Sequence, residues 1–271
     1  MSYKFGVIGV GNMAKAVISG IQKNPDKISQ IHLFDMNSGQ YKGLEKGDCP
    51  YFIHQSIEDA VSLADCVLLS VKPQNFPEVL GEIVKVKGYS DKLYITIAAG
   101  ISVKTVSDFL GGADVVRVLP NLPMTIGQGV SVICKNPNVS IEDFSFVTSL
   151  FSSSGSTLII DENDMNKTIG VTSSSPAYVF KFIDCVCKGA QAQGLDYEQI
   201  VSAVCDVFIG SALLLKQSGE VPETLISRVC SKGGTTECAM NKLNEAQIDN
   251  IILDAMRACT QRADELGQIQ S

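Results

Sequence analysis

Near its start the chain reads Phe5-Gly-Val-Ile-Gly9-Val-Gly11-Asn12-Met13-Ala14. This is the G-x-G-x-x-A spacing of a turn that receives a dinucleotide diphosphate. Gly9 suits the tight turn, Gly11 leaves the backbone open to the pyrophosphate, and Ala14 lets a following helix pack closely on its strand. Asn12 and Met13 begin that helix, whose unpaired N–H groups and positive potential favour an anion. Asp35 follows 24 residues after Gly11, where a carboxylate accepts from a free ribose 2′-hydroxyl. That favours NADH, and no Arg follows within the next few residues, yet Lys42 could serve the 2′-phosphate of NADPH.

A second group, Ser231-Lys232-Gly233-Gly234-Thr235-Thr236, sits far along the chain. Its two glycines can turn successive N–H groups towards one spot, ahead of a helix starting near Thr235 or Thr236. Such a nest binds anions; the same residues also read as an ordinary helix cap. Two more turns, Ser70-Val71-Lys72-Pro73-Gln74 and Ala98-Ala99-Gly100-Ile101-Ser102, stand after apolar runs. There an open α/β sheet binds its ligands. A third, Arg117-Val-Leu-Pro120-Asn121-Leu-Pro123, has two prolines fixing an irregular path. Each of the three fits ordinary loop chemistry as well.

The elements around these residues divide the chain. Residues 5–8, 31–34, 66–71, 93–98, 115–119, 130–134 and 157–160 are short apolar runs bounded by Gly, Pro, Asn or Asp. Continuous runs of this kind suit strands buried on both faces of a parallel sheet. Helical stretches at 13–22, 56–63 and 140–151 lie between them, the last opened by Ser140 with Asp143 three residues on. The pattern predicts a doubly wound α/β sheet of the Rossmann kind over residues 1–161. From 162 to 271 the strands stop, and 176–193, 196–216, 222–230, 236–244 and 249–265 read as helices. The second of these is apolar almost all round, from Ile200 to Leu215. Such a helix must be covered on every face, so an all-α domain that dimerises is expected.

Composition narrows the function classes. The 271 residues carry 22 Lys+Arg against 29 Asp+Glu, a net charge of −7, which argues against a dedicated nucleic-acid binder. No apolar run reaches the length of a membrane helix, and no signal-peptide pattern opens the chain; a cytoplasmic protein is expected. Nine cysteines without a CxxC pair suit free thiols in a reducing compartment. The only histidines, His32 and His54, offer no paired metal-ligand spacing, so no metal is expected. Ser/His/Asp hydrolysis is disfavoured, because His32 falls in an expected strand and no G-x-S-x-G elbow is present.

Taken together, these stretches resemble pyrroline-5-carboxylate reductase over essentially the full length. The resemblance is carried by GVIGVGNMA near the start, LLSVKPQ (68–74), ITIAAGIS (95–102), VVRVLPNLP (115–123), SPAYVF (175–180) and VCSKGGTTE (229–237). It implies a Rossmann domain followed by a helical domain that forms homodimers, often within larger rings. It also implies reduction of a cyclic imino acid, 1-pyrroline-5-carboxylate, to proline with NADPH or NADH. By the same resemblance, Gly9, Gly11, Asn12, Met13 and Ala14 line the diphosphate. Ser56, Val71, Lys72 and Pro73 lie near the adenosine or bridging ribose, and Ala98, Ala99 and Gly100 near the nicotinamide. Ser231, Gly233, Gly234, Thr235 and Thr236 hold the substrate, with Thr236 orienting the ring nitrogen or relaying its proton.

The chain departs from the family pattern at three places. Ser173-Ser174-Ser175 replaces Gly-Ser-Gly, Lys232 replaces a proline, and Asn166 stands where Asp is common. Lys232 either attracts the anion or is simply solvated. These changes leave room for two alternatives: a catalytically weak, dinucleotide-binding paralogue with a regulatory role, or a reductase of a related cyclic imine. A β-hydroxyacid dehydrogenase would need a G-x-x-G-x-G-x-x-x-K helix, and the stretch beginning at Gly170 has no such lysine.

Overall fold

The computed structural model describes residues 2–23 and 27–268. The chain divides into two compact units: Met1–Ser174 with Met256–Ser271, and Ser175–Ala255.

The first unit runs β1 (Tyr3–Ile8), α1 (Asn12–Lys23), β2 (Ile28–Phe34), β3 (Tyr51–Ile53), α2 (Ile57–Ser62), β4 (Cys66–Leu69), α3 (Phe76–Ile83) and β5 (Leu93–Thr96). It continues with α4 (Val103–Phe109), β6 (Asp114–Leu119), β7 (Gly129–Lys135), α5 (Ile141–Ser152), β8 (Gly155–Ile159) and α6 (Glu162–Thr168). The sheet order is β3-β2-β1-β4-β5-β6-β7-β8. Alternate residues of each strand feed opposite cores. Val7, Cys66 and Leu68 join α1 and α5 on one face; Ile8, Val67 and Leu69 join α2, α3 and α4 on the other. Both faces being covered, the strands read as continuous apolar runs.

Two features depart from the sequence reading. β7 runs antiparallel to β6, because the link between them, residues 120–128, is too short for a crossover. β3 was not expected: it has three residues, and Phe52 and Ile53 are half exposed at the sheet edge, so no apolar pattern marks it. The expected cap at Ser140 is present, and Ser56 caps α2 as well. Ser56 Oγ accepts from the Asp59 N–H, and Ser140 Oγ from that of Asp143, both at 3.0 Å.

The second unit comprises α7 (Ser175–Ala192), α8 (Tyr197–Ser218), α9 (Pro222–Val229), α10 (Thr235–Glu245) and the first part of α11 (Ile248–Gln268). Among its described residues only Cys187 and Val204 are buried and hydrophobic. Val207, Ile209, Leu213 and Leu214 of α8 stand exposed. One expectation is corrected here: with 22 residues, α8 is long and apolar enough to cross a membrane. The match is by length and composition of an 18-residue window, which holds no more than two of Glu198, Asp206 and Lys216.

The two histidines meet at the sheet edge. His32 Nδ1 lies 3.0 Å from His54 Nε2, and His32 is buried, stacked on Phe52. Desolvation, followed by His54 and Lys4, holds its pKa below the ordinary 6.5, against Asp65, which raises it. The fold favours neutral His32, so this stability is complete above pH 6.5 and is lost as pH falls below that value. Urea unfolding from pH 7.5 to 5.0 is expected to show stability falling by up to about 1.4 kcal/mol per pH unit. His32→Gln should flatten that decline.

Candidate functional site

The carboxyl ends of β1 and β4 meet where the strand order reverses direction, with β2 and β3 on one side and β5 to β8 on the other. A crevice at that place is where open α/β sheets bind ligands. Gly9 turns the chain there at φ +89°, and a Cβ on it would lie 2.6 Å from the Ser70 carbonyl oxygen. Only glycine meets both conditions. The Gly9 N–H donates to the Phe34 carbonyl, and the Ser70 N–H to that of Ile8, so the turn is tied to both neighbouring strands.

Asp35 holds the other side of the turn. Its Oδ2 accepts from the Val10 N–H at 2.7 Å and its Oδ1 from the Asn37 N–H at 2.8 Å. The Tyr41 hydroxyl accepts from the Asp35 N–H at 2.7 Å and donates to the Asp35 carbonyl at 3.1 Å. A cleft of about 320 Å³ opens beside this carboxylate, lined by Gly9, Gly11, Asp35, Val71 and Lys72 among others. A Cβ on Gly11 would meet nothing within 4 Å, so this glycine answers no demand of the chain's own packing. Its carbonyl accepts the first helical bond of α1, from Lys15, and the N–H groups of that first turn have no partner within the helix.

The remaining expected residues fall elsewhere. Ala14 is buried in the core of α1. Ser56 caps α2, and neither it nor Pro73, Ala98, Ala99 or Gly100 lines the cleft. Gly100 answers a packing demand: at φ +82° its Cβ would lie 2.5 Å from the Ala263 carbonyl oxygen and 3.0 Å from the Gly267 nitrogen. The loop after β5 therefore seats the last turns of α11.

A buried cation braces these loops. Arg117 of β6 is 2% exposed, and its Nη2 donates to Asn166 Oδ1 at 2.6 Å. Asn166 in turn donates to Asp264 on α11 at 2.7 Å, and Glu162 lies 3.8 Å from the guanidinium. Glu162 also accepts from the Val103 N–H that opens α4. Asn166 thus passes the guanidinium's demand on to a carboxylate one residue further away. The Asn121 side chain accepts from the Val130 N–H at 2.8 Å and donates to the Thr172 carbonyl at 3.1 Å. This ties the proline-bounded loop to a turn of π-helix, Ile169–Ser173.

In the helical unit, Gly234 is the N-cap of α10, and Gly233 takes φ +74°. The Gly234 N–H donates to the Ser231 carbonyl at 2.9 Å. The Gly233 N–H donates to Glu237 Oε2 at 2.7 Å, so this turn already holds one carboxylate, its own. Thr236 lines an apolar groove with Leu214, Leu215 and Met240. Glu237 was not among the expected site residues, although it closes the Gly-Gly-Thr-Thr-Glu run at the start of the helix. Tyr41 carries no comparable signal.

Comparison with known proteins bears on both halves. Residues 162–266 match the family model "Pyrroline-5-carboxylate reductase dimerisation", and residues 4–100 match "NADP oxidoreductase coenzyme F420-dependent". The pyrroline-5-carboxylate reductase of Pasteurella multocida is 33% identical over 267 residues, covering 97% of each chain. The chain belongs to the pyrroline-5-carboxylate reductase family. Its fold follows that of the Streptococcus pyogenes enzyme with a TM-score of 0.88 at 29% identity, over 97% of this chain and 99% of that one. The Plasmodium falciparum pyrroline carboxylate reductase, solved with NADP bound, aligns with a TM-score of 0.85 at 25% identity, over 98% of each chain. Membership brings a dimerisation region, so homo-oligomers are the family's form.

The glycines of this reductase separate into two kinds, and urea unfolding tests the division. Gly9→Ala and Gly100→Ala should each lower the unfolding free energy by about 2 kcal/mol or more, through positive φ and backbone clash. Gly11→Ala should cost less than about 1 kcal/mol, the range of a cap substitution.

Proposed function

We propose that this chain reduces 1-pyrroline-5-carboxylate to L-proline, the last step of proline biosynthesis, with hydride from NADPH or NADH. The observation that carries this reading is the open space at Gly11 beside the start of α1, in a chain that matches its family's reductases end to end. A glycine with no packing reason to be one, at a helix start under a strand-end cleft, fits a diphosphate. Residues 1–161 would serve the dinucleotide, and 162–271 the substrate and the dimer contact.

When bound, the dinucleotide supplies the hydride. The chain's own residues bind and orient. Gly9, Gly11, Asn12, Met13 and Ala14 present the turn and helix start to the diphosphate. Asp35, Ser56, Val71, Lys72 and Pro73 flank the adenosine side, and Ala98, Ala99 and Gly100 the nicotinamide side. Ser231, Gly233, Gly234 and Thr235 would receive the substrate carboxylate. The Gly233 N–H donates to Glu237, so a substrate carboxylate would have to displace that side chain to take this N–H. The Thr236 hydroxyl would orient the ring nitrogen and pass it a proton. The reaction asks for alignment and a held anion rather than a strong base, which suits a chain whose two histidines pair with each other at the sheet edge.

The working form would be a cytoplasmic homodimer, open to assembly into a larger ring, with α8 covered by the second copy. Its exposed apolar residues support this reading. So does the sparse core of the helical unit, too small to stand uncovered.

Initial rates of cofactor oxidation at 340 nm with 1-pyrroline-5-carboxylate test the activity. Turnover supports it, and tight cofactor binding without oxidation would leave a binding protein instead. Thr236→Ala should lower kcat/KM by roughly 100-fold, the scale of a lost proton-transfer or orienting group, with the dissociation constant for the cofactor unchanged. For the oligomer, light scattering should give at least twice the 29.0 kDa chain mass, and Leu213→Asp should shift the protein towards monomer.

A further inference from the structure

We infer that this chain selects NADH over NADPH, and that Asp35 is the residue that does so. The inference rests on the cleft after β1 being the dinucleotide site, and concerns which dinucleotide it takes. The carboxylate of Asp35 lines that cleft and is not free to swing away. Both its oxygens accept backbone N–H groups, from Val10 and Asn37, and Tyr41 bonds the N–H and the carbonyl of the same residue. With one N–H on each oxygen, the carboxylate keeps acceptor capacity for a ribose hydroxyl. A 2′-phosphate brought to the same place would bring a second anion against a fixed one.

The rest of the lining does not compensate. Besides Asp35 it carries Glu78 and Glu82, against Lys72 as its one cation. The two other lysines near the turn are placed elsewhere. The Lys15 ammonium donates to the Lys42 carbonyl at 3.1 Å. Lys42 is exposed and outside the lining, so the candidate phosphate partner seen in the sequence is not in the cleft. The Plasmodium falciparum relative was solved with NADP; the choice inferred here is argued from this chain's own Asp35, Glu78 and Glu82.

The chain has no Trp, so the reduced nicotinamide's own fluorescence reads binding without protein background. Titration of the wild-type protein should give a dissociation constant for NADH roughly 100-fold below that for NADPH, the scale of like charges a few ångströms apart in a half-exposed site. Displacement of NADH by 5′-ADP and by 2′,5′-ADP should show the same order, with no variant needed. Asp35→Asn keeps an acceptor for Val10 and removes the charge; it should bring the two constants within a few-fold, chiefly by tightening NADPH. Equal or tighter wild-type binding of NADPH would overturn the selectivity. An unchanged ratio in Asp35→Asn would overturn the role of Asp35 and leave it a brace of the turn. Failure of both dinucleotides to bind would instead remove the cleft as a cofactor site, a different result from a wrong preference.

Discussion

A carboxylate holding a glycine turn is the contact on which the first unit's chemistry depends. Asp35 bonds Val10 and Asn37, and Tyr41 bonds Asp35. Gly9 lies under the Ser70 carbonyl at a spacing no side chain allows. The turn therefore has one place to go, and the start of α1 is aimed with it. Backbone N–H groups fixed in this way stabilise an anion without reorganising when it arrives. The same carboxylate that steadies the turn also sets the charge beside it.

The second unit works under the opposite constraint. Its helices are long but enclose little, with Cys187 and Val204 its buried apolar residues among those described. Its stability must come from what it packs against, which is the logic of a dimerisation region. One of its tightly turned segments is Ser231–Thr236. There the bond from Gly233 to Glu237 ties the glycine turn to the first turn of α10.

Much of this was legible from residue order. Continuous apolar runs placed seven of the eight strands, six of them covered on both faces and the seventh, β8, with no fully buried residue, and a side-chain cap marked the helix start at Ser140. The missing strand, β3, is an exposed edge of three residues, which leaves no periodic trace. The sense of β7 was legible in principle from its short link to β6, a constraint of chain length rather than of pattern. In the site, glycine spacing located the cleft but could not tell the two uses of glycine apart. Gly11 is open to a ligand, while Gly100 is closed by α11, and only the tertiary contacts distinguish them. Lys42 shows the same limit: it is near Asp35 in sequence and absent from the cleft in space. The relay from Arg117 through Asn166 to Asp264 joins residues far apart in the chain, so the departure at Asn166 could not be read as compensated until both contacts were seen.

The reduction asks for hydride passed directly from a bound nicotinamide to a cyclic imino acid. The most direct test follows the hydrogen itself. A single turnover with cofactor deuterated at nicotinamide C4, on the face the enzyme uses, is run with unlabelled 1-pyrroline-5-carboxylate and the proline is read by mass and NMR. Proline carrying one deuterium on the ring carbon next to nitrogen and away from the carboxylate is the predicted product. Proline formed without deuterium from either C4-labelled form of the cofactor would contradict direct transfer.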